Sequence, residues 1–463
     1  MRTLIENGTL ATGSDLLRAD LLIEGEAVGL VGIGLAHRVG PVDRVVDATG
    51  LYVLPGGVDV HTHLSLSTAQ TVSTDDFETG TRAAAFGGTT TILDFAAQPR
   101  GGTLAEGLAE RHAQARGKAC IDYGFHMVVR EVTRATLAQM DLLVREEGVS
   151  SFKVFMAYPG LYQLDDASIL RALQQARDSG ALILAHAENG GAIDVLVAQA
   201  LARGETAPRF HALTRPAALE AEATGRCLAL AEVAKAPLYI VHLSSREALD
   251  RVREAREKGL PAFAETCPHY LFLTRHDLDR EGFEGAKFVC SPPLREREDT
   301  EALWRGLALG HVQVVATDHC PFDFRGQKEL GRAHFAAIPN GLPAIETRLS
   351  LLWDGGVRAG RLDVQRFVQL TSTAPARLFG LYPKKGSLLP GADADVVVWD
   401  PQRTVSLDQE DLHMRVDYSP YEGRRALGGP RLVFARGELL VDGGDWLGSA
   451  GRGHFLRRGR SGA

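Results

Sequence analysis

The sequence predicts an α/β protein: a TIM-type (β/α)8 barrel with a small β-sandwich domain built from both chain ends. In the middle of the chain, eight short β-branched runs alternate with segments rich in Ala, Leu, Glu and Arg. Both ends instead consist of short strand-like runs separated by turn residues, with no competing helical period. A chain of 463 residues has room for a barrel of about 250 residues or more and for a second, smaller domain.

The eight apolar runs are the predicted barrel strands: Gly57–His63, Thr89–Phe95, Ile121–Val129, Ser151–Met156, Ala181–His186, Leu238–His242, Pro261–Thr266 and Val312–Asp318. The predicted helices between them are Asp75–Phe86, Leu104–Arg116, Arg134–Glu147, Asp165–Ser179, Pro216–Lys235 and Arg246–Lys258. An open doubly wound sheet would show a similar alternation. No G-x-G-x-x-G motif opens a helix after a strand, however, so the pattern favours the closed barrel.

The domain boundaries follow from the same pattern. Residues 1–52 and 386–447 are predicted to form the two parts of the β-sandwich, and residues 53–385 the barrel. Residues 448–463 are rich in Gly, Ser and Arg, which is typical of a mobile tail.

Composition narrows the classes of function. The formal charge of −7 comes without a long basic block, which makes nucleic acid an unfavoured partner. The N-terminus lacks the apolar core of a signal peptide, and no stretch approaches the roughly 18 apolar residues of a membrane span. Five scattered cysteines without a C-x-x-C motif are typical of reduced thiols. We therefore expect a cytoplasmic protein with no membrane partner.

Potential metal ligands lie at the ends of five predicted strands, and these ends meet at one mouth of a barrel. The residues are His61, His63, Lys153, His186, His242 and Asp318. His61 and His63 alternate along one strand, so both imidazoles share a face. Lys153 lies among apolar neighbours, where an ammonium costs free energy unless it is paired, neutralised or modified. Singly, each histidine is compatible with a hydrogen-bonded core residue and Asp318 with a turn cap, but the set predicts a metal site.

Longer motifs run through nearly the whole chain in a fixed order: Val-Asp-Val-His-Thr-His, Phe-Lys-Val-Phe-Met-Ala-Tyr, His-Ala-Glu-Asn, Val-His-Leu-Ser-Ser, Glu-Thr-Cys-Pro-His-Tyr-Leu, Cys-Ser-Pro-Pro-Leu-Arg, Ala-Thr-Asp-His-Cys-Pro-Phe and Ile-Pro-Asn-Gly. In these motifs the chain resembles the cyclic amidohydrolases, and most closely the dihydropyrimidinase and D-hydantoinase family. The resemblance implies a barrel that carries two divalent metal ions, usually zinc (Zn²⁺), beside a small β-sandwich.

The resemblance also implies roles for individual residues. His61, His63 and Asp318 would bind one metal ion, and His186 and His242 the other. Lys153, carbamylated to N6-carboxylysine, and a hydroxide would lie between the ions. Asp318 would also act as general base and then acid. Tyr158 would stabilise the developing oxyanion, and Ser291 and Asn340 would hold the cyclic amide through backbone groups.

The implied activity is hydrolysis of the cyclic amide bond of 5,6-dihydropyrimidines and 5-substituted hydantoins to N-carbamoyl amino acids. The partner would be a small cyclic ureide or imide, and the assembly a homotetramer or homodimer. One stretch departs from the family pattern. After His63 the family usually has an apolar, Gly-rich loop that packs on the substrate's exocyclic group, whereas residues 64–73 read Leu-Ser-Leu-Ser-Thr-Ala-Gln-Thr-Val-Ser. Substituent and stereochemical preference therefore stay open.

Three alternatives compete with this interpretation. Dihydroorotases typically carry an arginine two residues after the second histidine, and Ser65 at that position argues against them. An allantoinase stays possible. A non-catalytic assembly protein, like the neuronal collapsin-response proteins, would share the fold but would have lost metal ligands, whereas every ligand position is filled here.

Overall fold

The computed structural model describes residues 1–462, and its centre is an eight-stranded parallel barrel. Each strand pairs with the next in chain order, and a parallel bridge between Thr62 and His319 brings the end of the sheet back beside its start. The strands are Gly57–Thr62, Thr89–Ala97, Asp122–Val128, Ser151–Phe155, Leu182–His186, Leu238–Ile240, Ala262–Thr266 and Val314–Val315. Each overlaps one predicted strand, so the barrel prediction is confirmed.

The helices between the barrel strands begin where the local sequence supplies a cap. The Asp76 carboxylate accepts hydrogen bonds from the backbone N–H groups of Glu78 and Thr79, and Thr103 caps the next helix in the same way. Gly180 ends a later helix in the left-handed conformation. The α-helices are Phe77–Phe86, Leu104–Ala115, Arg134–Leu142, Asp166–Ser179, Gly190–Ala202, Phe210–Leu213, Ala217–Ala234, Arg246–Glu257, Pro268–Phe272, Arg297–Leu309, Arg348–Leu352, Val364–Val368 and Ala374–Leu378.

Short 3-10 and π turns connect several of these helices. The 3-10 turns are Leu35–His37, Arg275–Asp279, Glu284–Phe288, Lys328–Gly331, Phe335–Ala337 and Gln409–Asp411. The π turns are Leu143–Glu147, Trp353–Arg358 and Gln369–Thr373. The turn Lys328–Gly331 lies between the last barrel strand and the following helices, in the region that covers the barrel mouth.

Both ends of the chain contribute to the sandwich, as predicted. One sheet, in spatial order, is Ala27–Gly32, Asp20–Glu24, Arg2–Glu6 and Arg44–Asp47. The other is Asp445–Trp446, Glu438–Asp442, Arg425–Ala435, Val396–Ser406, Tyr52–Pro55, Thr9–Ala11 and Leu16–Arg18. Ile23 from the first sheet and Val53, Val396 and Phe434 from the second are buried in one apolar cluster. Burial of this cluster joins the two ends of the chain, because neither end could cover its apolar face alone.

The prediction of a mobile tail is wrong for residues 448–462, which lie against the barrel. The Phe455 ring packs 5.5 Å from the Phe125 ring, centroid to centroid, and its backbone pairs with Tyr123. Arg458 is 5% exposed, and its guanidinium donates to the Phe125 carbonyl and, over 2.8 Å, to the Ser151 hydroxyl. The local composition could not show this, because the binding surface belongs to strands more than 300 residues earlier.

Two features bear on the expectations about membranes and thiols. Among residues 1–462, no helix combines the length and the apolar character needed to cross a membrane. Cys120, Cys227, Cys267, Cys290 and Cys320 are buried and form no disulfide in the described chain. The cytoplasmic location stays a prediction.

We expect Arg458→Ala to lower the free energy of unfolding by about 1–3 kcal/mol, because the change leaves buried acceptors without a donor. Arg457→Ala is the matched control. Arg457 is exposed, and its removal should change stability by less than about 0.5 kcal/mol. Urea unfolding followed by circular dichroism measures both. Equal stability of the two variants would contradict the view that the last segment is held by its buried arginine.

Candidate metal centre

Four polar atoms from the ends of two barrel strands and from the loop after the last strand converge at the barrel mouth. The Nε2 atoms of His61 and His63 lie 3.2 Å apart, and the Asp318 Oδ1 atom lies 3.2 Å from the first and 3.1 Å from the second. The Nζ atom of Lys153 lies 3.1 Å from His61 Nε2. The structure thus brings these four side chains together, and their role as metal ligands stays a prediction.

His186 and His242 form the adjoining half of the cluster. The Nδ1 atom of His186 and the Nε2 atom of His242 are 2.9 Å apart, and the ring centroids of His242 and His61 are 5.5 Å apart. Both residues are 2% exposed. All six predicted ligand positions therefore form one contiguous group, in which His63 is half-buried and the other five are buried.

Lys153 lies between aromatic rings rather than beside an acid. Its Nζ atom is 4.5 Å from the centroid of Phe95 and 5.1 Å from that of Phe155. Burial lowers the pKa of Lys153 to about 8, although Asp318 and Glu265 act in the opposite direction. About one tenth of the Lys153 side chains are therefore neutral at pH 7, far more than for an exposed lysine, and only the neutral amine has a lone pair to donate.

Glu265, on the seventh strand, is a site residue that sequence reasoning missed. One carboxylate oxygen accepts from His61 Nδ1 and from the His242 backbone N–H, and the other accepts from the Tyr239 hydroxyl over 2.8 Å. The bond at Nδ1 fixes the tautomer in which His61 Nε2 carries a lone pair toward the cluster. The signal in the sequence was a glutamate inside a strand otherwise made of apolar residues, within the motif Glu-Thr-Cys-Pro-His.

Glu188 performs the same task for His186, because its carboxylate lies 2.8 Å from His186 Nε2. This residue also went unassigned in the sequence, although it lies two positions after His186. A carboxylate behind each of two histidines is an arrangement that orients metal ligands and raises their basicity.

Burial sets the charge states of the cluster. It lowers the pKa of the His61 and His242 imidazoles well below the ordinary value, so both are neutral at pH 7. Burial alone would raise the pKa of Asp318, but His61, His63 and Lys153 outweigh it and lower that pKa well below its usual range. The neutral imidazoles of His61 and His242 therefore lie near the ionised carboxylate of Asp318.

The donor set fits a cation. Imidazole nitrogens and a carboxylate oxygen are the atoms that zinc and related ions prefer. Because His61 Nδ1 is hydrogen-bonded to Glu265, His61 Nε2 carries a free lone pair, which faces Asp318. Among residues 1–462, His63 Nδ1 and His242 Nδ1 are buried with no hydrogen-bond partner, which is costly in a purely structural cluster. His61, His63 and Asp318 bring their ligand atoms within 4.8 Å of one another and suggest a metal site.

The three residues expected to contact substrate lie beside this cluster. The Tyr158 ring centroid is 5.3 Å from that of His186. Burial raises the pKa of Tyr158 to about 12, with Glu188 adding to the rise and a hydrogen bond with Ser291 opposing it. The Asn340 amide donates to the Ser291 hydroxyl over 3.1 Å. The phenol is therefore protonated at neutral pH and is available as a donor.

Strained backbone concentrates at these positions. His242, Asp318 and Tyr158 have φ angles of 40°, 49° and 63°, in the left-handed region that residues other than glycine rarely adopt. Such conformations persist only where the surrounding structure enforces them, and they recur at active sites. Here they turn the side chains that end the strands toward the mouth.

The loop of residues 64–73, which departs from the family pattern, folds as a short hairpin with a bridge between Ser67 and Val72. The Ser73 hydroxyl donates to the His63 carbonyl over 2.8 Å and accepts from the Leu66 N–H over 2.8 Å. This loop therefore also helps to fix the backbone that carries His63.

The model of the amidohydrolase family matches residues 52–440. The chain belongs to the amidohydrolase family. Membership explains why the ligand-like residues lie at the carboxyl ends of barrel strands, where barrel enzymes place their active sites.

Individual relatives narrow the subfamily of this amidohydrolase. The chain is 55% identical to a D-hydantoinase from Streptomyces coelicolor, over 99% of this chain and 98% of that protein. It is 48% identical to a D-hydantoinase from Geobacillus stearothermophilus, over 100% of this chain and 98% of the relative. The crystal structure of dihydropyrimidinase from Brevibacillus agri superimposes with a TM-score of 0.98 at 47% identity, covering 100% of this chain and 99% of that one. The chain is thus a cyclic amidohydrolase.

We expect Glu265→Gln to weaken metal binding roughly 10–100-fold, because the carboxylate accepts from three donors and an amide would turn one NH₂ group toward a donor. Glu222→Gln, at an exposed surface glutamate, is the control and should leave metal binding unchanged. Metal retained after dialysis against a graded chelator measures the effect. Unchanged retention in Glu265→Gln would show that His61 does not need this partner.

Proposed function

We propose that this cyclic amidohydrolase hydrolyses the ring amide bond of 5,6-dihydropyrimidines and 5-substituted hydantoins, giving N-carbamoyl amino acids. The convergence of His61, His63, Lys153 and Asp318 at the barrel mouth is the observation that carries the proposal. The relatives named above as D-hydantoinases and a dihydropyrimidinase support the substrate class.

The cofactor we propose is a pair of divalent ions, zinc by the preference of the donor set. His61, His63 and Asp318 would hold one ion and His186 and His242 the other. When bound, such a pair lowers the pKa of the attacking water and polarises the carbonyl that is cleaved.

Lys153 would join the two halves of the centre as a carbamate. Its neutral amine attacks carbon dioxide, a C–N bond forms, and one proton leaves, so an ill-placed cation becomes an anion with two ligand oxygens. The pKa of about 8 supports this step, because it makes the reactive neutral amine available near pH 7. The aromatic rings of Phe95 and Phe155 border the amine, and burial among them outweighs the effect of Asp318 and Glu265, which favour the ammonium.

Asp318 would move the proton. The neighbouring imidazoles keep its carboxylate ionised at neutral pH, as a general base must be. It would take a proton from the attacking water and then donate it to the departing ring nitrogen, which leaves as part of the N-carbamoyl group. The left-handed backbone at Asp318 holds the carboxylate toward the mouth in both steps.

Tyr158, Ser291 and Asn340 would bind the ring. The protonated phenol of Tyr158 would donate to the oxygen that gains negative charge as the carbonyl is attacked. The peptide groups of Ser291 and Asn340 would pair with the ring's amide face. Because these contacts read the ring and the loop of residues 64–73 lies nearer the substituent, the ring would be selected more strictly than the substituent.

Two finer features rest on the relatives alone. Since relatives at 55% and 48% identity are D-hydantoinases, we propose that the D configuration at the 5-position is preferred. For the assembly, we propose a homotetramer or homodimer, as in the family that the sequence resembles.

We expect the wild-type protein to bind close to two divalent ions per chain, and Lys153→Ala and Lys153→Arg to lose metal and activity together, because neither side chain can form the carbamate. Metal analysis by mass spectrometry and hydantoin turnover provide the two measurements. Lys118→Ala, at a surface lysine paired with Asp76, is the control and should keep both properties. Full activity in Lys153→Arg would exclude the carbamate.

We also expect dihydrouracil and 5-substituted hydantoins to be opened faster than allantoin and dihydroorotate. Ring-N-methylated analogues should fail, because losing a matched amide hydrogen bond costs more than the roughly 1–3 kcal/mol at stake per methylene in an apolar pocket. Steady-state kcat/KM values across this panel measure the order. A value for allantoin or dihydroorotate about tenfold above all others would assign the chain to another subfamily, with the metal centre unaffected.

A further inference from the structure

A buried lysine outside the ligand cluster binds the loops that face the substrate. Lys328 is fully buried, and its Nζ atom donates to the carbonyls of Val289, Pro339 and Gly341 over 3.0, 2.7 and 2.8 Å. Three carbonyls match the three N–H donors of an ammonium. Within the described chain, no carboxylate forms a salt bridge with this lysine.

The three carbonyls bound by Lys328 lie close in the chain to residues proposed to contact the substrate. Pro339 and Gly341 are the two neighbours of Asn340, and Val289 lies two residues before Ser291. The Gly341 N–H also donates to the Val289 carbonyl over 3.0 Å, so the two loops are tied directly as well. Lys328 therefore fastens both loops at points next to the residues proposed to read the ring.

The peptide groups between these points are left free. Among residues 1–462, neither the N–H nor the C=O of Ser291 or Asn340 forms a hydrogen bond with the protein. Lys328 binds the carbonyls on both sides of Asn340, whereas the carbonyls on both sides of Ser291 pair with the His211 ring and the Tyr270 hydroxyl. The peptide groups of Ser291 and Asn340 are therefore available to an outside partner.

Burying an ammonium is costly, and burial lowers the pKa of Lys328 to about 7. An apolar side chain of similar length would avoid this cost but would leave three carbonyls unpaired and the two loops joined by fewer bonds. A single ammonium therefore makes three of the hydrogen bonds that hold the two loops together.

We propose that Lys328 is a positioning residue for substrate recognition. By binding the carbonyls on either side of Asn340 and near Ser291, its ammonium fixes the spacing of the free peptide groups that pair with the ring amide. The inference rests on the proposed function, because it takes the cyclic amide as the ligand of these groups.

The test compares Lys328→Met with Arg366→Met. Met fills much of the lysine volume and donates no hydrogen bond. Arg366 is also a partly buried cation that donates to two backbone carbonyls, those of Leu307 and Val312 at 2.7 Å each, but it lies on a helix away from the mouth. Both variants should lower the melting temperature, so loss of stability is matched between them.

For Lys328→Met we expect KM for hydantoin to rise roughly tenfold with kcat changed less than about threefold, the pattern of lost binding shared by substrate and transition state. Its preference for hydantoin over a ring-N-methylated analogue should fall by a similar factor, while the preference among 5-substituents stays. Arg366→Met should keep the wild-type values. Should Lys328→Met not fold, Lys328→Gln, which retains two donors, should show a smaller change of the same kind.

Wild-type KM and wild-type ring preference in both folded Lys328 variants would overturn the proposal and assign the lysine to stability alone. A fall in kcat without a change in KM or ring preference would overturn it too, because it would place the effect on the chemical step. Wild-type protein that opens no cyclic ureide would contradict the proposed function itself. The wild-type assay thus separates the two failures.

Discussion

The interactions of the His61 imidazole with its neighbours are those on which the rest of the site depends. One ring nitrogen is bound to Glu265, and the other faces His63, Lys153 and Asp318 within 3.2 Å. Because the ring is fully buried, its pKa is lowered and it is neutral, and its outward nitrogen carries a lone pair toward the mouth. A lone pair, a second imidazole and a carboxylate so close together favour a bound cation, and together with membership of the amidohydrolase family they suggest a metal site at the barrel mouth.

Around that centre, the fold supplies rigidity at each point where geometry matters. Left-handed backbone at His242 and Asp318 aims ligands inward, and carboxylates behind the histidines fix their tautomers. At the proposed substrate site, two loops lie outside any strand, and the ammonium of Lys328 holds them together by hydrogen bonds to their carbonyls. The proposed metal site and the proposed ring site are thus positioned in different ways, the first by barrel strands and the second by a buried cation.

Most of the barrel could be predicted from sequence, because strand and helix periods are local properties and each of the eight strands is short and apolar. The ligand set could be assembled for a related reason: parallel strands place their carboxyl ends together, so His61 and His186 need no known contact to be assigned to one mouth. Glu265 escaped this reasoning. The sequence around a single acidic residue in a strand is the same whether its carboxylate binds a histidine or a distant arginine. Its partner is known only once the neighbouring strand is in place.

The sequence by itself determined the order of elements, the pairing of the chain ends into one sandwich, and the chemistry of the ligands, since all three follow from residue type and spacing. Only the tertiary structure shows that the last segment is anchored through Arg458 and that Lys328 lies between two loops. Both features depend on which backbone carbonyls accept hydrogen bonds from a long side chain. Every residue has a backbone carbonyl, so the sequence does not show which ones are used. Local patterns encode periodicity, whereas contacts between distant backbone groups arise only when the chain has folded.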